Sequence, residues 1–219
     1  MNRRLALAVL PLLLAVTGCT SGTADDEPAP RPAAAERPSP FRDCTALSTA
    51  PAATSPGSGT ATVTPASPST PGTTPPAGGS ALPELTLSCF TGGAPVVLRE
   101  VAGPAVINVW ASWCPPCRKE LPAFQRLSER TAGQLQVVGV NSRDSRSGAQ
   151  SIGEDFGVRF PMLVDQGEAL QRELKRNAIP LTLFVAADGQ VRHIDATGAL
   201  DDAKLAKLVR QHLGLAVPA

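Results

Sequence analysis

Cys114 and Cys117, in the string Trp113-Cys114-Pro115-Pro116-Cys117, are the residues of this chain best suited to chemistry. Two thiols three positions apart can meet only where the backbone makes the first turn of a helix. At such a helix start, unpaired N–H groups and the dipole favour Cys114 as a thiolate. A thiolate is both a nucleophile and a leaving group, the two roles that thiol–disulfide exchange requires. The alternative is half of a zinc site, which needs two further ligands of suitable spacing. The chain offers only His193, His212 and three other cysteines, with no second C-x-x-C, so neither a metal nor another cofactor is expected.

The flanking sequence supplies the elements that would hold this pair. Ala105 to Trp110 is short, apolar and rich in β-branched residues, the pattern of a buried strand. Pro116 to Arg130 follows as a helix, with Leu121, Phe124 and Leu127 spaced along one face. Leu85 to Leu87 suggests an edge strand and Pro95 to Leu98 a second one. Leu135 to Val140 is a further central strand. Ser147 to Phe156 is helical, Met162 to Val164 a short strand and Ala169 to Lys175 a helix. Leu181 to Val185 and Val191 to Ile194 form a hairpin across Asp188-Gly189. Asp201 to Leu213 closes the domain as an amphipathic helix, with Leu205, Leu208, Val209 and Leu213 on one face. This order predicts an α/β fold, a mixed central sheet flanked by helices.

Asn108 to Pro122, Asn-Val-Trp-Ala-Ser-Trp-Cys-Pro-Pro-Cys-Arg-Lys-Glu-Leu-Pro, resembles the active-site signature of the TlpA/ResA/DsbE-like thiol–disulfide oxidoreductases of the thioredoxin superfamily. Ala178 to Val185 resembles the segment carrying that family's cis-proline, and the likeness runs from about Ala81 to Leu215. The resemblance implies a thioredoxin-like fold with an N-terminal strand extension and an inserted helix, here Ser147 to Phe156. It implies a cis Ile179–Pro180 bond whose preceding backbone can pair with a bound peptide beside Cys114. With Trp113, next to the nucleophile, Ile179 and Pro180 form the expected substrate contact. Asn108 departs from cytoplasmic thioredoxins, which carry an Asp there, and fits the TlpA/ResA-like group.

Within the signature, Cys114 reads as the more exposed, attacking thiol and Cys117 as the resolving one. Glu120 lies three residues after Cys117, so on a helix the two share a face. Spacing alone favours a solvated glutamate paired with Arg118, Lys119 or Arg126. The resemblance instead implies a functional glutamate that accepts a proton from Cys117, provided burial raises its pKa. Trp110 reads as core, His193 and His212 as a strand and a helix-face residue, and Arg143, Asp144 and Arg146 as a solvated loop. A peroxiredoxin is disfavoured, because Ala111 stands where a Thr-x-x-Cys pattern would need threonine.

Residues 1–18 read as a lipoprotein signal peptide: a basic Asn2-Arg3-Arg4, an apolar Leu5 to Val16 too short to span a bilayer, and Leu14 to Cys19 resembling a bacterial lipobox. Cys19 would be the lipidated first residue of the mature chain; the alternative is an ordinary signal peptide with an incidental cysteine. Residues 19–80 read as a disordered Ala/Pro/Ser/Thr-rich tether that cannot bury enough apolar surface to offset its ordering entropy. Residues 81–216 form the thioredoxin-like domain. The chain has 219 residues and a net charge of +1, so nothing in its charge points to nucleic acid.

Five cysteines is an odd number for an exported protein. With Cys19 assigned to lipid and Cys114–Cys117 to redox, Cys44 and Cys89 remain, either as a structural disulfide or as two unrelated thiols. A bridge would pin the Phe41-Arg42-Asp43-Cys44 interruption of the tether against the domain. It would restrict the unfolded chain by roughly 4 kcal/mol from loop entropy.

These readings converge on an enzyme lipid-anchored at the outer face of the cytoplasmic membrane, exchanging disulfides with protein thiols outside the cytoplasm and served by a membrane electron donor or acceptor. The resemblance suggests a reductase, with apocytochrome c cysteines as one substrate. The alternatives are a disulfide-forming oxidase and a non-catalytic lipoprotein using the fold as a binding scaffold.

Overall fold

A computed structural model describes residues 37–51 and 79–218. Cys19, the signal peptide and most of the expected tether lie outside the described residues. The described residues from Pro38 onward form one unit. Its strands are β1 (Ser80–Ala81), β2 (Thr86–Cys89), β3 (Val96–Val97), β4 (Ala105–Trp110), β5 (Gln136–Ser142), β6 (Met162–Asp165), β7 (Leu181–Val185) and β8 (Gln190–Asp195). Its helices are α1 (Pro115–Arg130), α2 (Arg146–Asp155), α3 (Ala169–Glu173) and α4 (Asp202–Leu213). Pro122 lies inside α1.

The described strands join in the order β1-β8-β7-β4-β5-β6-β2-β3. β4, β5 and β6 run parallel, while β7 is antiparallel to both β4 and β8. The sheet is therefore mixed and covered by helices, the thioredoxin-like architecture. The hairpin turns at Asp188-Gly189, where Gly189 takes φ +75°, a conformation glycine adopts without steric cost. Leu85 to Leu87 was expected at an edge. β2 instead lies between β6 and the short outer strand β3.

All six residues of β4 are buried, so both of its faces carry core. Side chains alternate along a strand. Val106 and Trp110 join a cluster with Leu121, Phe124 and Leu127 of α1 and Leu205 and Val209 of α4. Ile107 and Val109 join the opposite cluster with Val138, Val140 and Leu183. Asn108 shares the parity of Val106 and Trp110, which sends this one polar residue of β4 toward α1. At the surface between the two helices, Arg126 donates to both carboxylate oxygens of Asp202 at 2.9 and 2.6 Å.

The boundary at residue 80 requires correction: the expectation of a structureless 19–80 does not describe residues 38–51. Phe41, Cys44 and Leu47 are buried in the two cores. Phe41 meets Phe90 edge-on, with ring centroids 4.8 Å apart. Gly153 makes room for it, since a Cβ there would lie 2.6 Å from the ring. Leu47 O accepts Ala102 N–H at 2.8 Å, and Gln136 Nε2 donates to Thr49 O at 3.0 Å. Cys44 is disulfide-bonded to Cys89 across 45 residues. Isolated apolar residues in a Pro/Ala/Thr-rich stretch show no periodicity. Their partners are remote in sequence, so local composition alone reads as disorder.

Candidate active site

α1 begins at Pro115, four intervening residues beyond the carboxyl end of the central strand β4, and Cys114 is its N-cap. Pro115 and Pro116 lack N–H groups, so Cys117 supplies the first backbone donor of the helix. That N–H points at Cys114 Sγ from 3.2 Å. The helix thus aims its first free donor at the expected attacking sulfur, which favours negative charge there. Cys114 and Cys117 are joined as a disulfide, their Cα atoms 5.3 Å apart. Cys114 is 3% exposed and Cys117 fully buried, so the expected difference in exposure is small in the disulfide form.

Trp113 is 57% exposed beside the pair, and its indole N–H donates to Arg143 O at 2.9 Å. Trp110 is fully buried. The Ile179–Pro180 bond is cis. β7 starts where β4 ends, with Leu181 paired to Val109. This register puts Ile179–Pro180 at the sheet end from which α1 springs. Half-buried Ile179 packs on the cluster that contains Cys114 and Cys117. Trp113, Ile179 and Pro180 therefore share the end of the sheet that holds the cysteine pair.

Glu120 is 1% exposed, not a solvated partner of Arg118, Lys119 or Arg126. Asn108 Nδ2 donates to its Oε1 at 2.6 Å, and Leu200 N–H to its Oε2 at 3.0 Å. Burial pushes its pKa up from 4.5 to about 7, opposed by these two hydrogen bonds and assisted by the negative charge of Asp195. The carboxyl therefore changes protonation near neutrality, as a group that exchanges protons with a thiol must. Asn108 Oδ1 has no partner among the described residues. A half-turn of that amide would offer Oδ1 to the protonated form of Glu120.

Of Arg143, Asp144 and Arg146, expected as a solvated loop, the two arginines are exposed and Asp144 is buried. Arg146 lies 4.3 Å over the Phe90 ring and donates to Phe90 O at 2.8 Å. Asp144 is 8% exposed and accepts from both the backbone and the hydroxyl of Ser112, two residues before Cys114. The available signal was a polar run at the carboxyl end of a parallel strand, where sites of α/β sheets form. His193 and His212 stack on each other, centroids 4.1 Å apart, alongside Phe184. Among the described residues, no cluster of metal-ligating side chains occurs and no helix is long and apolar enough to cross a membrane.

The sequence model of the family described as Redoxin matches residues 77–209. The thiol–disulfide oxidoreductase ResA of Geobacillus thermodenitrificans is 28% identical over 137 residues, which are 62% of this chain and 75% of that protein. The thioredoxin-like protein YneN of Bacillus subtilis is 26% identical over 119 residues, 53% of this chain and 69% of that one. A secreted Mycobacterium tuberculosis disulfide oxidoreductase homologous to E. coli DsbE superimposes with a TM-score of 0.52. At 24% identity, over 58% of this chain and 96% of that one, this likeness bears on the fold.

Proposed function

Because this chain belongs to the Redoxin family, as a TlpA/ResA/DsbE-like thiol–disulfide oxidoreductase of the thioredoxin superfamily, we propose that its Cys-Pro-Pro-Cys site exchanges disulfides with protein substrates outside the cytoplasm, acting as a reductase. The observation that carries this is the Cys114–Cys117 pair at the start of α1, with the Cys117 N–H directed at Cys114 Sγ. In the reaction, the Cys114 thiolate attacks a substrate disulfide and forms a mixed disulfide. One substrate sulfur leaves as a thiolate and takes up a proton. Glu120 accepts the Cys117 proton, and the Cys117 thiolate then attacks Cys114 Sγ. The second substrate sulfur leaves and is protonated in turn. Two electrons and two protons have passed to the substrate, and a membrane electron donor restores the dithiol. Trp113, Ile179 and Pro180 line the substrate contact, and an apocytochrome c disulfide is one substrate of the right chemistry. The buried Cys44–Cys89 bond serves as a structural tie for residues 38–51.

The experiment is insulin reduction by the full chain with dithiothreitol as electron source. Wild type is expected to precipitate the insulin B chain well above the rate of dithiothreitol alone. Cys114→Ser should return it to that background. A wild type at background would favour the non-catalytic binding lipoprotein. Equilibration with glutathione sets the direction: a potential near about −270 mV supports a reductase, one near about −120 mV the alternative oxidase.

The same reading places the mature chain at the outer face of the cytoplasmic membrane through lipid on Cys19, supported by the apolar Leu5 to Val16 run ending in Thr17-Gly18-Cys19. Labelled palmitate is expected to enter wild type but not Cys19→Ala in a bacterial host. Equal labelling of both would remove the anchor.

A further inference from the structure

We propose that Asp144 is a positioning residue for the Cys114–Cys117 pair, acting through Ser112; this rests on the exchange reaction proposed above. The Asp144 carboxylate is nearly buried and accepts four hydrogen bonds. Oδ2 takes the Ser112 N–H at 2.5 Å and the Asn141 Nδ2 amide at 2.9 Å. Oδ1 takes the Ser112 hydroxyl at 2.6 Å and the Ser145 N–H at 2.8 Å. Each oxygen thus meets one fixed backbone donor and one side-chain donor. Only a carboxylate satisfies that set. An asparagine would turn its NH2 toward one of the two backbone N–H groups, leaving a buried donor unpaired.

The surroundings are built around this clamp. Gly148, in the first turn of α2, admits the Ser112 hydroxyl, because a Cβ there would lie 2.6 Å from it. The adjoining Arg143 O holds the Trp113 indole, and Gln166 Nε2 ties down Asp144 O at 2.8 Å. The loop between β5 and α2 therefore grips the two residues that immediately precede Cys114. Cys114 N–H closes a turn back onto Ala111 O at 3.2 Å, so the gripped segment sets where the Cys114 sulfur sits relative to Cys117.

Fixing the two sulfurs against each other raises their effective concentration and so stabilises the disulfide over the dithiol. Loss of that fixing shifts the pair toward its reduced form.

The test is redox equilibration of the full chain with glutathione buffers, comparing wild type, Asp144→Asn and Ser112→Ala. In this equilibrium the dithiol gives two electrons and two protons to glutathione disulfide, forming one intramolecular S–S bond and two glutathione thiols. The constant for that oxidation is expected to fall about tenfold in Asp144→Asn and about threefold in Ser112→Ala, as preorganisation of the two thiols is lost. Thermal unfolding of the oxidised forms is recorded alongside. Constants within twofold of wild type in both variants, whatever their melting temperatures, would overturn the proposal and leave Asp144 a loop cap. If Asp144→Asn does not fold, Ser112→Ala decides alone, since it removes one hydroxyl and retains the carboxylate. A wild type that fails to reduce insulin overturns the exchange reaction itself. Insulin reduction with unchanged variant constants overturns only the role of Asp144.

Discussion

A Cys117→Ser variant of the full chain is expected to accumulate as a mixed disulfide between Cys114 and its protein partner. Cys114 keeps its place at the N-cap, and the backbone N–H of residue 117 still points at its sulfur, so the attacking step survives. What disappears is the sulfur held one helical turn away. An intramolecular thiol acts at an effective concentration that external thiols at millimolar levels cannot match, so turnover should fall by at least about 10³-fold. Non-reducing electrophoresis and mass spectrometry of the trapped species check this, with the cross-link located on the Cys114 peptide. Cys114→Ser should trap nothing, because Cys117 lies within the first turn of α1 and lacks the N-cap donor that supports a thiolate at Cys114. Recovery of the complex from Cys114→Ser instead would reverse the two roles.

Glu120→Gln is expected to slow resolution of the mixed disulfide by about 10²-fold at neutral pH, the ordinary worth of a positioned base, while its formation changes little. Formation draws on Cys114, whose thiolate is supported by the helix start. Resolution requires the buried Cys117 thiol to lose its proton. With a pKa of about 7, wild-type Glu120 is half ionised at neutrality, so the resolution rate should rise through that pH and level off above it. The variant lacks this inflection. Its deficit should narrow toward pH 9 as the thiol ionises without help. Stopped-flow measurement of both steps between pH 6 and 9 separates them. A variant resolving as fast as wild type at pH 7 would remove Glu120 from the reaction.

The same carboxyl ties stability to pH. Its folded-state pKa lies above its unfolded value, so the folded state holds the proton more tightly between about 4.5 and 7. The stability this confers is full below the lower value and is lost as pH rises through the upper one. The interval corresponds to about 3 kcal/mol. The ionised carboxylate is therefore carried at a cost, and the hydrogen bonds from Asn108 and Leu200 offset part of it.

Much of the site was legible along the chain because it depends on neighbours in sequence. A β-branched apolar run, two cysteines three apart and a helical apolar stripe are local patterns, and they determine a buried strand, an N-cap thiol and a helix in that order. The two prolines that leave Cys117 as the first helical donor are equally local. Most helix and strand limits fell within a residue or two of the structure for the same reason. The structure carries Glu120 and Asp144 beyond what spacing could tell. At i+3 from Cys117, Glu120 could be solvated or buried. Its burial depends on Asn108 twelve residues earlier and Leu200 eighty residues later, which meet it only once β4 and α4 pack against α1. Asp144 lies in a polar run that composition assigns to solvent, and its four donors come together only when β4 and β5 pair in parallel. Residues 38–51 follow the same logic. Phe41 and Leu47 stand in no periodic apolar pattern, and their partners come from β2 and the residue after it, α2 and the turn before β4. Period and spacing along one segment set the elements and the thiol pair. Desolvation, and the hydrogen bonds that answer it, depend on groups far apart in the chain, so the tertiary structure alone decided the burial of Glu120, the clamp on Ser112 and the packing of residues 38–51.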